Sequence, residues 1–407
     1  MSRNKKSKLR VVSLFSGCGG LDLGFFGGFE SHGVKLPRNQ FEIVYANDFD
    51  KHAEEVYNRN SKKFFGGHPL DFGDIRKVKS ELIPEFDVML AGFPCQPFSN
   101  AGSRGSTEDS KGRGTLFYEC ERILKHALKT QKKKPVGFIF ENVRGILSSR
   151  MPDGKPVVAE IADRMKRLGY SISVELINAS DYGVPQNRLR VLIVGIRNDL
   201  GAFDFSALEQ TALKVGLPGR HSSKESLTLG SILSDIPKNA PQYNLVWPYS
   251  SSDQRMVEMI GPCEAGKSFL PKFKRGTPLA KMDKKVLAGR SWKNIDVNDL
   301  PPRFRRIYDD PKRYHAPNFY RRFALGEICG TITASAQPAN CGITHPYENR
   351  RMTVREIARI QSFPDDFDFS VSQVQGAYKV IGNAVPPVLA WVIARSFHDH
   401  VKTRMKK

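Results

Sequence analysis

Short apolar runs, each closed by glycine or acidic residues and followed by helical spacing, recur through the first half of the chain. Val11–Phe15 reads as a strand running into the turn Ser16-Gly17-Cys18-Gly19-Gly20-Leu21-Asp22-Leu23-Gly24. Phe41–Ala46 reads as a second strand, ending in Asn47-Asp48-Phe49-Asp50, and Phe86–Ala91 as a third. Phe117, Cys120, Leu124 and Leu128 share one helical face; Val136–Phe140 is a fourth strand, closing in Glu141-Asn142-Val143. Val158, Ile161, Met165 and Leu168 mark another helix, which Gly169 stops. Ile172–Ile177 and Val191–Ile196 are further strands. Such alternation predicts the α/β class, a doubly wound sheet with helices on both faces.

From about residue 200 the alternation fades, and 240–330 is rich in proline and loops. Regular structure returns at Thr353-Val354-Arg355-Glu356, a capping box opening a short helix before Pro364. A last helix follows Pro386-Pro387, with Leu389, Val392, Ile393 and Phe397 on one face. We therefore expect a first domain over 1–200, a second over 201–350, a hinge and support segment over 351–371, and a C-terminal helix, 372–407, returning to the first domain.

Charge adds a partner class to this picture. The 407 residues carry a net +21, and 241–330 holds 17 Lys and Arg against 9 Asp and Glu. A concentrated basic excess favours a polyanion, nucleic acid before an anionic membrane surface. There it interleaves with aromatics, as in Lys272-Phe273-Lys274-Arg275, Arg303-Phe304-Arg305-Arg306, Lys312-Arg313-Tyr314 and Phe319-Tyr320-Arg321-Arg322. The apolar runs read as shorter than a membrane span, and the basic start lacks a secretion signal's apolar core. Six scattered cysteines without a Cys-x-x-Cys spacing suggest reduced thiols, with no metal site.

Candidate chemistry gathers at strand ends. Gly92-Phe93-Pro94-Cys95-Gln96-Pro97-Phe98-Ser99 follows the third strand and sets a cysteine between prolines, where neither strand nor helix continues. Alone, such a cysteine reads first as a small buried hydrophobe, and second as a nucleophile. The glycine turn serves tight packing or close approach of a ligand to backbone N–H groups. Asp48 stands where a ribose is often held, Phe49 beside it suits a purine, and Asp74-Ile75 adds an acceptor and an apolar contact. Together they favour an adenosine-containing cofactor; no Walker-type Lys-Ser/Thr supports ATP. The polar segment from Asn100 to Gly114 reads as a lid. Glu141, after so apolar a strand, reads as desolvated and raised toward proton transfer, or as a helix cap. Gln186, Arg188 and Arg190 alternate on extended chain and so share one face, to grip an anion or line a salt-bridged edge.

These blocks resemble those of the DNA cytosine-5 methyltransferases. The resemblance rests on Phe15–Gly20, Gly92–Ser99, Glu141-Asn142-Val143, Gln186–Arg190, Arg355-Glu356 through Gln361-Ser362-Phe363-Pro364, and Gly382–Pro386, in that order. It implies a Rossmann-like S-adenosylmethionine-dependent methyltransferase sheet plus a smaller, irregular target-recognition domain. It further implies S-adenosylmethionine over Phe15, Gly17, Gly19 and Leu21, with Asp48 on the ribose, Phe49 and Ile75 against the adenine, and Asp74 accepting from its amino group. Leu116, Asn383, Ala384 and Val385 would complete that pocket, with Cys18 only a small side chain beneath it. Cys95 resembles the nucleophile, Glu141 the carboxylate on the cytosine edge, and Arg188 and Arg190 its supporting pair. Contacts to double-stranded DNA are expected from Gln96, Ser99, Arg104, Arg113, Lys272, Lys274, Arg275, Arg303, Arg305 and Arg306.

Rival readings fare worse on particular residues. A zinc cytidine deaminase could use His52-Ala53-Glu54 and Pro94-Cys95, but its second cysteine falls on Phe98. The tRNA-methylating branch of the same family typically carries a Cys-Phe-Thr motif, which this chain lacks. A non-catalytic relative would have no reason to keep Cys95, Glu141 and Arg188. The compact size resembles bacterial modification enzymes. The expectation is then a monomer in the bacterial cytoplasm, with no membrane partner, and a cognate restriction endonuclease sharing the recognition sequence without binding the chain.

Overall fold

The computed structural model describes residues 8–94, 116–263, 289–310 and 318–405. The chain divides into two compact units. Met1–Gly183, Leu189–His221 and Ala384–Lys407 form the first; Val184–Arg188 and Ser222–Asn383 form the second.

The first unit is built on a seven-stranded sheet. Its strands are β1 (Leu9–Leu14), β4 (Phe41–Asp48), β5 (Asp71–Phe72), β6 (Val88–Ala91), β7 (Gly137–Val143), β8 (Tyr170–Asn178) and β10 (Leu189–Arg197), ordered β5-β4-β1-β6-β7-β10-β8. The strands from β5 to β7 pair in parallel, whereas β10 runs antiparallel to both β7 and β8. A small hairpin, β2 (Phe29–Ser31) and β3 (Val34–Leu36), was not evident from periodicity. Phe15, expected to end the first strand, instead has a φ of 57° and opens the turn.

Alternation along the strands decides which side chains meet which helix layer. Val12, Leu14, Met89, Ala91, Phe138, Phe140, Val191 and Ile193 point to one face. There they pack with Phe117, Cys120 and Leu124 of α3 (Phe117–Thr130) and Ile161 and Met165 of α4 (Val157–Arg167). The predicted α4 ends as its sequence suggests, with Gly169 at a φ of +89°. Against the remaining layer, α1 (Gly20–Phe26) lies on α11 (Pro387–Arg404). A Cβ at Gly24 would stand 2.3 Å from that of Ala390, so only glycine allows this approach. The stretch Val374–Arg404 has the length and apolarity to cross a membrane, but 89% of its apolar window is buried within the protein. It is core.

The second unit has little regular structure. It holds α6 (Leu229–Leu233), α7 (Ser251–Ile260), α8 (Pro302–Asp309), α9 (Val354–Ile360) and α10 (Val374–Asn383). Two short strand pairs complete it: β11 (Arg290–Ser291) with β12 (Arg321–Arg322), and β9 (Gln186–Asn187) with β13 (Cys329–Gly330). The capping box forms as expected, with Glu356 N donating to Thr353 Oγ1 at 3.1 Å and Thr353 N to Glu356 Oε2 at 2.6 Å. Irregular backbone leaves carbonyls without ladder partners, and buried arginines supply the donors. Arg355 reaches the carbonyls of Pro241, Pro364 and Phe367. Arg322 reaches those of Val257, His345 and Glu348. Arg351 serves Trp247 and Pro248 while its guanidinium lies 4.1 Å from the Trp247 ring centre. Burial pulls Arg322 and Arg355 down to about 10, which leaves both cationic at neutral pH.

Arg355→Met keeps the volume but takes a charged donor from three carbonyls, of which that of Pro364 still accepts from Phe367 N. It is expected to lower unfolding free energy by about 3 kcal/mol. A urea midpoint equal to the parent's would refute the stapling role.

Candidate active site

At the sheet's carboxyl edge β1 and β6 end level, while β7 runs on past them to Val143. Leu14 pairs with Ala91, and Ala91 with Phe140, so Phe15, Gly92 and Glu141 emerge side by side. In open α/β sheets this edge is where ligands bind. Gly92 lies between its neighbours: a Cβ there would be 3.8 Å from Glu141 Oε2 and 3.9 Å from the Phe15 carbonyl oxygen. Asn142 Nδ2 donates to the Phe93 carbonyl at 3.0 Å, and the Phe93 ring meets Phe140 edge-on at 5.6 Å. The segment leading to Cys95 is thereby pinned at its base. Cys95 itself lies outside the described residues, as do Gln96, Ser99, Arg104, Arg113, Lys272, Lys274 and Arg275.

Glu141, expected to be desolvated after an apolar strand, is buried beside a cation. Antiparallel pairing of β10 with β7 sets Arg190 opposite Val143 and brings its Nε to 2.7 Å from Glu141 Oε1. Both side chains are about nine-tenths buried. Burial lowers the Arg190 guanidinium, and the neighbouring carboxylate opposes that shift. An enclosed pair of this kind orients the carboxylate, and losing one partner strands the other.

Beside it, the glycine turn is shaped by two left-handed glycines and one carboxylate. Gly19 has a φ of +86°, and its missing Cβ would fall 2.4 Å from the Phe65 ring. Gly17, at a φ of +57°, faces open space, with nothing within 4 Å of a built Cβ. Asp48 Oδ2 accepts from Gly17 N at 2.8 Å, and Oδ1 from Asp50 N at 2.9 Å. Asp48 thus braces the turn, while burial raises its carboxyl above the ordinary value. Next to it Phe49 leaves 57% of its surface exposed, an open aromatic face at the strand end. Cys18 is fully buried, and burial pushes its thiol up, away from any reactive thiolate.

Other expected cofactor residues fall into distinct settings. Leu21 is buried at the start of α1. Ile75 and Leu116 are almost wholly buried in the core layer, so they brace the edge more than they line it. Asp74 is held by Arg76, whose Nε lies 3.0 Å from each carboxylate oxygen and whose Nη2 is 2.6 Å from Oδ2. That guanidinium holds the Asp74 carboxyl below its ordinary range. Ala384 and Val385 are buried in the first unit; Asn383, exposed, ends α10 in the second.

Arg188 and Arg190 do not share a strand face as their spacing suggested, because Arg188 falls between β9 and β10. In the second unit Arg188 is 1% exposed and donates to the carbonyls of Ile332 and Gly382 at 2.9 Å each. Gln186 Nε2 donates to Gln361 Oε1 nearby. The interleaved aromatics also depart from expectation: Phe304, Phe319 and Tyr320 are buried with Trp292 in a small core. Arg303, Arg305 and Arg306 of α8 remain exposed around it. Sequence reading gave no role to Asn142 or Arg76. Each was findable as a polar residue immediately after an apolar strand, or two positions past an acceptor.

The profile of the C-5 cytosine-specific DNA methylase family matches residues 9–399. Type II methyltransferase M.NgoPII of Neisseria gonorrhoeae is 34% identical over 389 residues, covering 95% of this chain and 94% of its own. M.FnuDI of Fusobacterium nucleatum is 32% identical over 405 residues, covering 98% and 97%. Among solved structures, a candidate DNA modification methyltransferase encoded within an Escherichia coli prophage superposes with a TM-score of 0.58 at 22% identity, covering 97% of this chain and all of its own. Dnmt2 methyltransferase of S. pombe gives a TM-score of 0.57 at 16% identity, covering 96% and 99%. Both are likenesses of fold. With the family profile spanning almost its whole length, the chain belongs to the C-5 cytosine-specific DNA methylases.

Proposed function

We propose that this chain methylates carbon 5 of a cytosine flipped out of a specific short duplex DNA sequence, through a covalent adduct with Cys95. The observation that carries the reading is Gly92, set between Glu141 and the Phe15 carbonyl and leading directly to the cysteine. Membership of the family and kinship with bacterial Type II methyltransferases support a role as the modification half of a restriction-modification pair. A monomer in the bacterial cytoplasm, with an endonuclease that shares the recognition sequence without binding, belongs to the same reading. Among the described residues of the second unit, nothing favours the tRNA alternative.

The residues around the glycine turn fit S-adenosylmethionine. Gly17 faces open space, and Phe49 offers an exposed ring for the adenine. Asp48 has lone pairs beyond those that brace the turn. S-adenosylmethionine, when bound, supplies the electrophilic methyl that carbon 5 takes up. Cytosine carbon 5 is too electron-poor to react unaided. Addition of the Cys95 thiolate to ring carbon 6 forms a carbon–sulfur bond and makes carbon 5 an enamine-like nucleophile. Glu141, oriented by Arg190, accepts from the exocyclic amino group with one oxygen and passes a proton to ring nitrogen 3 from the other as negative charge develops there. Loss of the carbon 5 proton then restores the double bond and expels the thiolate. A stacked base cannot be reached this way, so flipping is required, at a cost of about a few kcal/mol. The exposed arginines of α8 suit phosphate contacts.

Bisulfite sequencing of DNA from cells expressing the protein should show one methylated sequence context, and Cys95→Ala should abolish it while leaving cofactor affinity intact. Methylation surviving in the variant would assign the nucleophile elsewhere. Arg190→Met removes the cation that orients Glu141. Turnover is expected to fall by about 10²–10³-fold with unchanged cofactor affinity, the scale for losing one electrostatic stabiliser. Turnover within a few-fold of the parent's would exclude that role.

A further inference from the structure

A carboxylate outside the chemistry described above underlies the glycine turn. Asp22, in the first turn of α1, is fully buried. Ser13 Oγ on β1 donates to its Oδ1 at 2.6 Å, and the Tyr57 hydroxyl on α2 (Lys51–Phe64) to its Oδ2 at 2.9 Å. Both donors continue into the turn. Ser16 Oγ lies 2.9 Å from Ser13 Oγ and 3.1 Å from the Ser13 carbonyl. The Tyr57 ring stacks on Phe65 at 4.3 Å, and Phe65 occupies the space a Cβ of Gly19 would need. One carboxylate therefore ties β1, α1 and α2 to both ends of Ser16–Gly19.

We propose that Asp22 is a positioning residue for cofactor binding: its ionised carboxylate, through Ser13–Ser16 and Tyr57–Phe65, holds the turn in its binding conformation. The inference rests on the reading of this turn as the S-adenosylmethionine site. A turn that holds Phe15 at a left-handed φ is costly to hold and needs such bracing. An ionised acceptor binds two hydroxyls more firmly than a neutral one.

Burial pushes the Asp22 carboxyl up to about 6. The groups facing it are Tyr57 on α2 and Cys18 in the turn, both raised by burial and so neutral near that pH. Asp48 on β4 interacts with Cys18 and is also raised. On the α11 side, Gly24 meets Ala390 and the Trp391 backbone. As pH falls through about 6, Asp22 gains a proton, one acceptor is lost, and the turn loosens. The folding sign is opposite. A carboxyl raised in the folded state costs stability when ionised, a cost absent below its ordinary value and complete above about 6. Asp22→Asn should therefore be at least as stable as the parent near neutral pH, yet bind cofactor worse.

The test is calorimetric titration of S-adenosylhomocysteine into the full chain and its variants between about pH 5.5 and pH 8. The parent should weaken several-fold as pH falls through about 6. Asp22→Asn should bind about tenfold more weakly near neutral pH, lack the Asp22 part of the pH break, keep its melting temperature, and raise cofactor KM more than it lowers kcat. Tyr57→Phe, which removes one donor, should move the break to higher pH. An Asp22→Asn variant with parental affinity or a parental pH break overturns the proposal, as does a Tyr57→Phe break left in place. A parent that binds no S-adenosylhomocysteine would instead overturn the cofactor reading itself.

Discussion

The register of β1, β6 and β7 is the constraint on which the chemistry depends. Pairing of Leu14 with Ala91 and of Ala91 with Phe140 brings the glycine turn, the segment leading to Cys95 and Glu141 to one level. A slip of one residue on any of these strands would exchange the side chains of its two buried faces and mismatch the packing of both helix layers. Burial of Leu14, Ala91 and Phe140 in one layer therefore fixes the site's geometry as firmly as it fixes the fold. The antiparallel β10 then delivers Arg190 to the carboxylate that the parallel strands have placed.

Positive charge has two physical roles in this chain. The net +21 suits a polyanionic substrate, and the exposed arginines of α8 are available to one. Yet Arg188, Arg322, Arg351 and Arg355 are almost fully buried and spend their donors on carbonyls of the second unit. That unit has few ladders, so planar five-donor side chains take the place of secondary structure. Basic composition there reflects both architecture and substrate.

Periodicity made the first unit legible. The succession of its main strands and helices along the chain, the buried faces of α3 and α4 and the stop at Gly169 follow from local pattern, as does the capping box at Thr353 in the second unit. The hairpin at Phe29–Leu36 was hidden because its strands are too short to show alternation. Ion pairing was hidden for a different reason. Glu141 and Arg190 are distant in sequence, and only the antiparallel register joins them. Asp74 and Arg76 show the converse, a contact between near neighbours that spacing alone did not single out. The basic-aromatic segments misled because sequence does not say which of two adjacent residue types faces inward; Phe304 and Phe319 do.

The central claim is that the segment pinned beside Glu141 carries the nucleophile. Its most direct measurement is intact-mass and peptide mass spectrometry after reaction with duplex DNA bearing 5-fluorocytosine at the target and S-adenosylmethionine. Fluorine at carbon 5 cannot leave as the proton does, so the adduct should persist. The account predicts one equivalent of DNA bonded to the peptide containing Cys95, methylated at the trapped base. An adduct on another residue, or methyl transfer to the duplex with no bond to protein, would contradict it.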